Sequence, residues 1–195
     1  MSEAGPRALR LTICGLDELA YWGARDVTHV LSIMDPGWPE PEPVQSFNLA
    51  RRLKLKFHDV IDADPPWIAP QRWDVALLLA FGRDLAAFGD RRSPVHLLVH
   101  CHAGLSRSTA AAILILAQHE PGRDAGDAVG LVTRLRPRAW PNLRMVELGD
   151  ALLGRGGELV AAVQAHYRMA LDREPGLAAA MIESGRGREV AAARS

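Results

Sequence analysis

The chain has 195 residues, 48% apolar and 24% charged, which suits a single domain with a buried core and excludes general disorder. Its 23 basic and 23 acidic residues cancel, so no global field draws it onto nucleic acid or an anionic membrane, and neither is expected as a partner. Two cysteines exclude a disulfide framework and an all-cysteine zinc site, and no apolar stretch reaches the roughly 18 residues that span a bilayer.

Met1 to Arg10 carry no apolar run, so a secretory signal is not expected and a soluble, cytoplasmic location is. Lys54 and Lys56 are the only lysines, and the Arg- and Ala-rich composition suits a GC-rich bacterial genome. Residues 9–13 alternate up to Cys14-Gly15 and predict a first strand. Leu16 to Trp22, opening with Asp17 and Glu18, predicts a short helix. Val27 to Ile33 predicts a second strand, closed by the turn signal Asp35-Pro36-Gly37. Residues 35–43 carry four prolines and Trp38 and read as an exposed, polyproline-like loop, either a stiff surface segment or a pocket wall. Leu53 to Val60 alternates again as a third strand, and Asp62 to Pro70 is a Pro- and Asp-rich loop. Arg51, Arg52, Lys54 and Lys56 form a basic cluster, read as a solvated strand face that could also attract an anionic substrate. Trp73 to Phe88 has apolar residues at helical spacing, and Arg91 to Pro94 breaks the chain.

Val95 to Val99 is a short apolar run that predicts a buried central strand. Helices are predicted over 106–118, 124–135, 141–153 and 157–172. Residues 1–172 are read as one domain, and 173–195, rich in Gly, Ala and Arg, as a frayed or loosely docked C-terminal tail. Strand–helix alternation followed by a run of helices predicts an α/β fold, a mostly parallel sheet of about four to five strands flanked by helices.

Chemistry concentrates in Val99-His100-Cys101-His102-Ala103-Gly104-Leu105-Ser106-Arg107-Ser108-Thr109, between a predicted strand and a predicted helix. A turn there aims successive backbone N–H groups and a helix N-terminus at one point, which is an anion site. Gly104 allows a positive φ or a close approach, and Arg107 adds a planar fork for two phosphate oxygens. The same surroundings favour the thiolate of Cys101, the nucleophilic form. One loop thus offers a cradle, a charge clamp and a nucleophile, and phosphoryl transfer needs little more than a proton for the leaving group.

His-Cys-(five residues)-Arg-Ser resembles the signature of the cysteine-dependent protein tyrosine phosphatases, and Ala103-Gly104-Leu105-Ser106-Arg107-Ser108 resembles their dual-specificity branch. Arg136-Pro137 and Pro141-Asn142 resemble the Arg…Pro-Asn segment of many relatives, so the likeness spans residues 9 to about 153. It implies a protein tyrosine phosphatase-like fold and hydrolysis of phosphate monoesters, on phosphotyrosine and on phosphoserine or phosphothreonine in proteins, with no cofactor. Cys101 would form the phosphocysteine. Residues His102, Ala103, Gly104, Leu105, Ser106 and Arg107 would bind the phosphate. Ser108 would hydrogen-bond the sulfur, and His100 would support the loop.

The family's general acid is an Asp on a separate loop, and Asp59, Asp62 and Asp64 are the candidates. Asp59 ranks first because it stands where the third strand is predicted to end; Asp64, before Pro65-Pro66-Trp67, reads equally as a turn former. His100, Cys101 and His102 do not suggest a metal, since strand neighbours point to opposite faces. Cys14 reads as a buried structural thiol, with a disulfide to Cys101 in an oxidised state as the alternative. Two other functions remain open at this point, a phosphate-binding pseudophosphatase and a rhodanese-like sulfurtransferase. The oligomeric state and the physiological substrate, whether a phosphorylated protein or a small phosphomonoester, are not encoded in these motifs.

Overall fold

Four short runs form one sheet, three of them rich in β-branched and aliphatic residues and one alternating Leu with Arg and Lys, and the two central strands are the most completely buried. The computed structural model describes residues 9–23, 25–45, 47, 49–87 and 95–194. The predicted break at Arg91 to Pro94 and the N-terminal eight residues lie outside them. The strands are β1 (Leu9–Cys14), β2 (His29–Met34), β3 (Arg51–Lys56) and β4 (Val95–His100). All pair in parallel, in the order β1-β4-β2-β3. The expected parallel α/β architecture is therefore the observed one.

Every residue of β2 and β4 is buried, as two-sided coverage of a parallel sheet requires. Alternation sorts their side chains: Leu31, Ile33, Leu97 and Val99 enter a large core on one face, while Val30 and Leu98 enter a small core on the other. The small core is closed by α1 (Leu19–Trp22) and α2 (Glu42–Gln45). The large one is closed by α3 (Arg72–Ala87), α4 (Arg107–His119), α5 (Ala125–Leu135), α6 (Leu143–Leu153) and α7 (Glu158–Arg173). The helix limits follow local chemistry. Asp124 caps α5 by accepting from Gly126 N at 2.7 Å, and Asn142 caps α6 by accepting from Met145 N at 3.1 Å. Gly154, in the left-handed region at φ +66°, ends α6.

Two expectations need correction. The third strand starts at Arg51 and stops at Lys56, so Asp59 stands on a loop beyond the strand rather than at its end. The chain leaves the sheet because His58 N bonds Ile68 O at 2.7 Å and His58 Nδ1 accepts from Ile68 N at 2.9 Å, closing a loop over residues 58–68. The segment after Arg173 is also not frayed. It forms α8 (Leu177–Glu183) and α9 (Gly187–Arg194), and α9 buries Glu189, Val190 and Ala193 against the large core. Its anchor is a buried acid, which a search for apolar periodicity does not detect.

The basic cluster on β3 is largely neutralised: Arg51 pairs with Asp84, and Arg52 and Lys54 both pair with Glu40. Among the described residues no helix is long and apolar enough to cross a membrane. α4 and α6 approach closely at Gly149, where a Cβ would lie 2.2 Å from Leu114 Cδ2. Leu114 is fully buried and cannot swing away. Gly149→Ala should therefore cost about 1–3 kcal/mol of stability by overpacking, read as a lower urea midpoint with an unchanged slope; a midpoint equal to the parent's would mean the two helices can part.

Candidate active site

The loop after β4 is held from outside by its carbonyl groups. His102 O accepts from Leu16 N at 2.9 Å. Ala103 O and Gly104 O accept from the Arg136 guanidinium at 3.1 and 3.2 Å. Leu105 O accepts from Trp140 N at 2.8 Å, and Ser106 O from Ala110 N at 3.0 Å. A trans peptide directs its N–H opposite to its C=O. Five carbonyls bound this way therefore turn the following N–H groups to the opposite, inner side of the loop. Arg136 is itself clamped by Glu18 at 2.8 and 2.9 Å, and Glu18 also accepts from Gly15 N at 2.7 Å. Burial pushes the Glu18 carboxyl up, but the Arg136 and Gly15 donors outweigh it and hold it below its ordinary value.

Inside this ring lies Cys101, 2% exposed, with Sγ 3.3 Å from Ser108 Oγ. Arg107, the first residue of α4, is buried. Its Nη1 donates to Asp35 Oδ1 at 2.6 Å and to Phe57 O at 2.7 Å, and its Nε has no hydrogen-bond partner among the described residues. A buried guanidinium with an unsatisfied N–H is a donor awaiting an acceptor. His100 is fully buried, with its Nε2 hydrogen-bonded to Ser32 Oγ at 2.7 Å; burial pushes its pKa down to about 4, so it is a neutral strut. His102 Nε2 accepts from Asp35 N at 3.3 Å, and its ring meets Trp38 edge-on at 4.6 Å; burial lowers its pKa, against the pull of Asp35.

Of the three candidate acids, only Asp59 reaches this site. Asp59 Oδ1 accepts from Ser106 Oγ at 2.7 Å, from Asn142 Nδ2 at 2.9 Å and from Arg186 Nη2 at 2.7 Å. Its Oδ2 lies 4.0 Å from Arg107 Nε. Burial pushes the carboxyl up, but Arg186 and Arg107, with the Asn142 and Ser106 bonds, outweigh it and hold it below the ordinary carboxylate value. Asp62 is exposed and pairs with Arg188 at 3.2 Å, and Asp64 is exposed in the loop. Asp59, Cys101 and Arg107 open into one cavity of about 530 Å³, walled by Trp140, His166, Met181 and Arg186.

Several site residues escaped the sequence reading. In the sequence Asp35 reads as a turn former and Glu18 as a helix opener, and Arg186 falls in the segment that reads as a tail. Only the pattern Asp-Pro-Gly directly after a buried strand marks Asp35 as standing on the same sheet edge as Cys101. Cys14 is fully buried, and burial, with Glu18 nearby, pushes its thiol up to about 12, as an inert structural group requires. Among the described residues no three His, Cys, Asp or Glu side chains gather as metal ligands do.

Gly104 occupies φ +71°, and a Cβ there would lie 2.4 Å from the carbonyl carbon of Cys14 and 2.6 Å from Gly15 N. Both contacts are backbone, so neither can yield cheaply. Gly104→Ala should lower stability by more than about 1 kcal/mol and weaken binding of an oxyanion such as tungstate or vanadate. Unchanged oxyanion affinity would show that the loop tolerates a different backbone path.

No family model and no curated protein matches the chain in sequence. Solved structures do match in shape. Human DUSP28 superposes with a TM-score of 0.55 at 20% identity, covering 74% of this chain and 88% of its own. DUSP15 gives 0.53 at 21% identity over 84% and 94%. The human tyrosine phosphatase-like serine/threonine/tyrosine-interacting protein gives 0.52 at 22% identity over 73% and 87%. The Cys101 loop thus sits on a protein tyrosine phosphatase-like fold, the one that human DUSP28 and DUSP15 share.

Proposed function

We propose that the protein hydrolyses phosphate monoesters through a phosphocysteine at Cys101, acting on phosphotyrosine and phosphoserine or phosphothreonine in proteins or on small phosphomonoesters. The observation that carries the reading is the outward binding of five consecutive loop carbonyls around a buried thiol and a buried guanidinium with a free Nε. The fold alone does not carry it, since a protein named only phosphatase-like shares it.

In the first step the Cys101 thiolate attacks phosphorus, the bond from phosphorus to the ester oxygen breaks, and Asp59 gives that oxygen its proton. The N–H groups of residues 103–107 and the Arg107 fork hold the three equatorial oxygens. A phosphate dianion beside Asp59 disfavours its carboxylate, so the substrate itself promotes the acid form that Arg186 and Arg107 otherwise hold down. In the second step Asp59 takes a proton from water, the hydroxide attacks phosphorus, and the S–P bond breaks. Ser108 Oγ, 3.3 Å from the sulfur, donates to the departing thiolate. His100 keeps the loop base fixed as a neutral ring.

Four variants test the chemistry. Cys101→Ser should retain oxyanion binding with no turnover of an aryl phosphate; substantial residual hydrolysis would move the nucleophile elsewhere. Asp59→Asn should lower turnover about 100- to 10,000-fold on poor leaving groups and less on activated aryl phosphates, with the descending limb of the pH profile flattened. Asp62→Asn and Asp64→Asn should be mild. A leaving-group-dependent loss in either of those, and not at Asp59, would reassign the acid. A parent protein that binds oxyanions and transfers sulfur from thiosulfate, without hydrolysing phosphate esters, would overturn the reading.

A further inference from the structure

Arg186 precedes α9 and is far from the loop in sequence, yet it enters the site. Its Nη2 lies 2.7 Å from Asp59 Oδ1 and donates to Ser106 Oγ at 3.0 Å. Its Nη1 faces Glu189 at 3.2 and 3.4 Å. Glu189 is fully buried and is fixed by Trp140 Nε1 at 2.5 Å, Leu143 N at 2.9 Å and the Tyr167 hydroxyl at 3.3 Å. The line Glu189–Arg186–Asp59 therefore runs from the core of the C-terminal helices to the carboxylate at the cavity wall. Both ends of Arg186 are committed, so its guanidinium has no freedom to turn toward solvent.

We infer that Arg186 is a positioning residue for Asp59, pinning Oδ1 from the C-terminal helices so that Oδ2 is the oxygen that carries the transferable proton, and setting by its charge the pH range in which that proton is present. The inference rests on Asp59 being the general acid. Three donors converge on Oδ1, and Oδ2 has none among the described residues, only Arg107 Nε at 4.0 Å. A proton on Oδ1 would face two N–H donors, whereas a proton on Oδ2 displaces none. Asn142 and Ser106 also hold Oδ1, but they are neutral, and only Arg186 adds charge from the C-terminal segment.

The groups facing Asp59 are Arg107 from α4, Arg186 and Glu189 from the α9 region, Tyr167 from α7, and His102 and Cys101 from the loop. Arg186 is the strongest of the influences that lower the Asp59 carboxyl, opposing the effect of burial. The direction of the effect follows. A carboxyl held low loses its proton at lower pH, so the descending limb of kcat/KM starts early. Removing the cation raises the carboxyl and carries the limb to higher pH.

The test is kcat/KM against pH on one alkyl phosphate, a poor leaving group, for the full chain and four variants. Arg186→Gln and the double variant Arg186→Gln/Glu189→Gln should move the descending limb upward by about 1–3 pH units. The double variant avoids leaving Glu189 buried without its cation, and a thermal melt confirms that it is folded. Arg186→Lys keeps the charge and should hold the limb near the parent position. Asp59→Asn should remove the limb. If it does and the two Gln variants leave the limb in place, the inference about Arg186 fails while the acid assignment stands. Equal displacement by Arg186→Lys also overturns it, since packing of α9 rather than the cation would then be responsible. If Asp59→Asn leaves the limb intact, the acid assignment itself fails and the inference goes with it.

Discussion

The orientation of five peptide groups decides what the rest of the site can do. Between His102 and Ser106 every carbonyl is engaged, by the segment after β1, by the Arg136 side chain and by the backbone of Trp140, Asn142 and Ala110. Peptide planarity then commits the N–H groups to the interior. No single side chain makes the anion cradle. It results from where the neighbouring segments place their donors, and Gly104, wedged against the backbone of Cys14 and Gly15, supplies the φ that the ring needs. Glu18 and Arg136 complete the strap across the loop's outer side.

Charge is balanced as tightly as backbone polarity. Arg107 and Arg186 are both buried, and each is held by carboxylates: Asp35 for the former, Glu189 for the latter, with Asp59 between them. Taking a guanidinium out of water is costly unless its partners are close, and here they lie at 2.6 to 3.2 Å. On the proposed function, a phosphoryl dianion beside Arg107 would compete with Asp35 for the same fork. It also adds like charge next to Asp59, whose cheapest response is to take up a proton. Under the proposed mechanism, substrate binding is thereby linked to acid formation without moving an element of the fold.

The fold and the loop were legible because they are written in short range. A fully apolar run such as Val95-His96-Leu97-Leu98-Val99 marks a central parallel strand, and Cys101, Gly104, Arg107 and Ser108 occupy fixed offsets on a single turn. Asp59 was found by its place after a strand, although the strand proved shorter because residues 58 and 68 pair with each other. Asp35 was legible only as a turn former. Its role depends on the order β4-β2, which brings the end of β2 beside the end of β4, and strand order is not written in local pattern. Glu18 and Arg136 are far apart in sequence, and only the packed fold joins them.

The C-terminal helices show the same limit from the other side. A segment of Gly, Ala and Arg offers few apolar residues, so composition reads it as a tail. Its docking depends on Glu189, whose carboxylate accepts from Trp140, Leu143, Tyr167 and Arg186 at once. Burial pushes that carboxyl up, and Arg186 with the two N–H donors from Trp140 and Leu143 pulls against it. A buried acid satisfied this fully resists displacement, because parting any one partner exposes a charge to a poor solvent. Polar saturation thus does here what an apolar stripe does in α4. It also has a consequence an apolar stripe would not: the element that closes the cavity wall is electrostatically coupled to the carboxylate inside it.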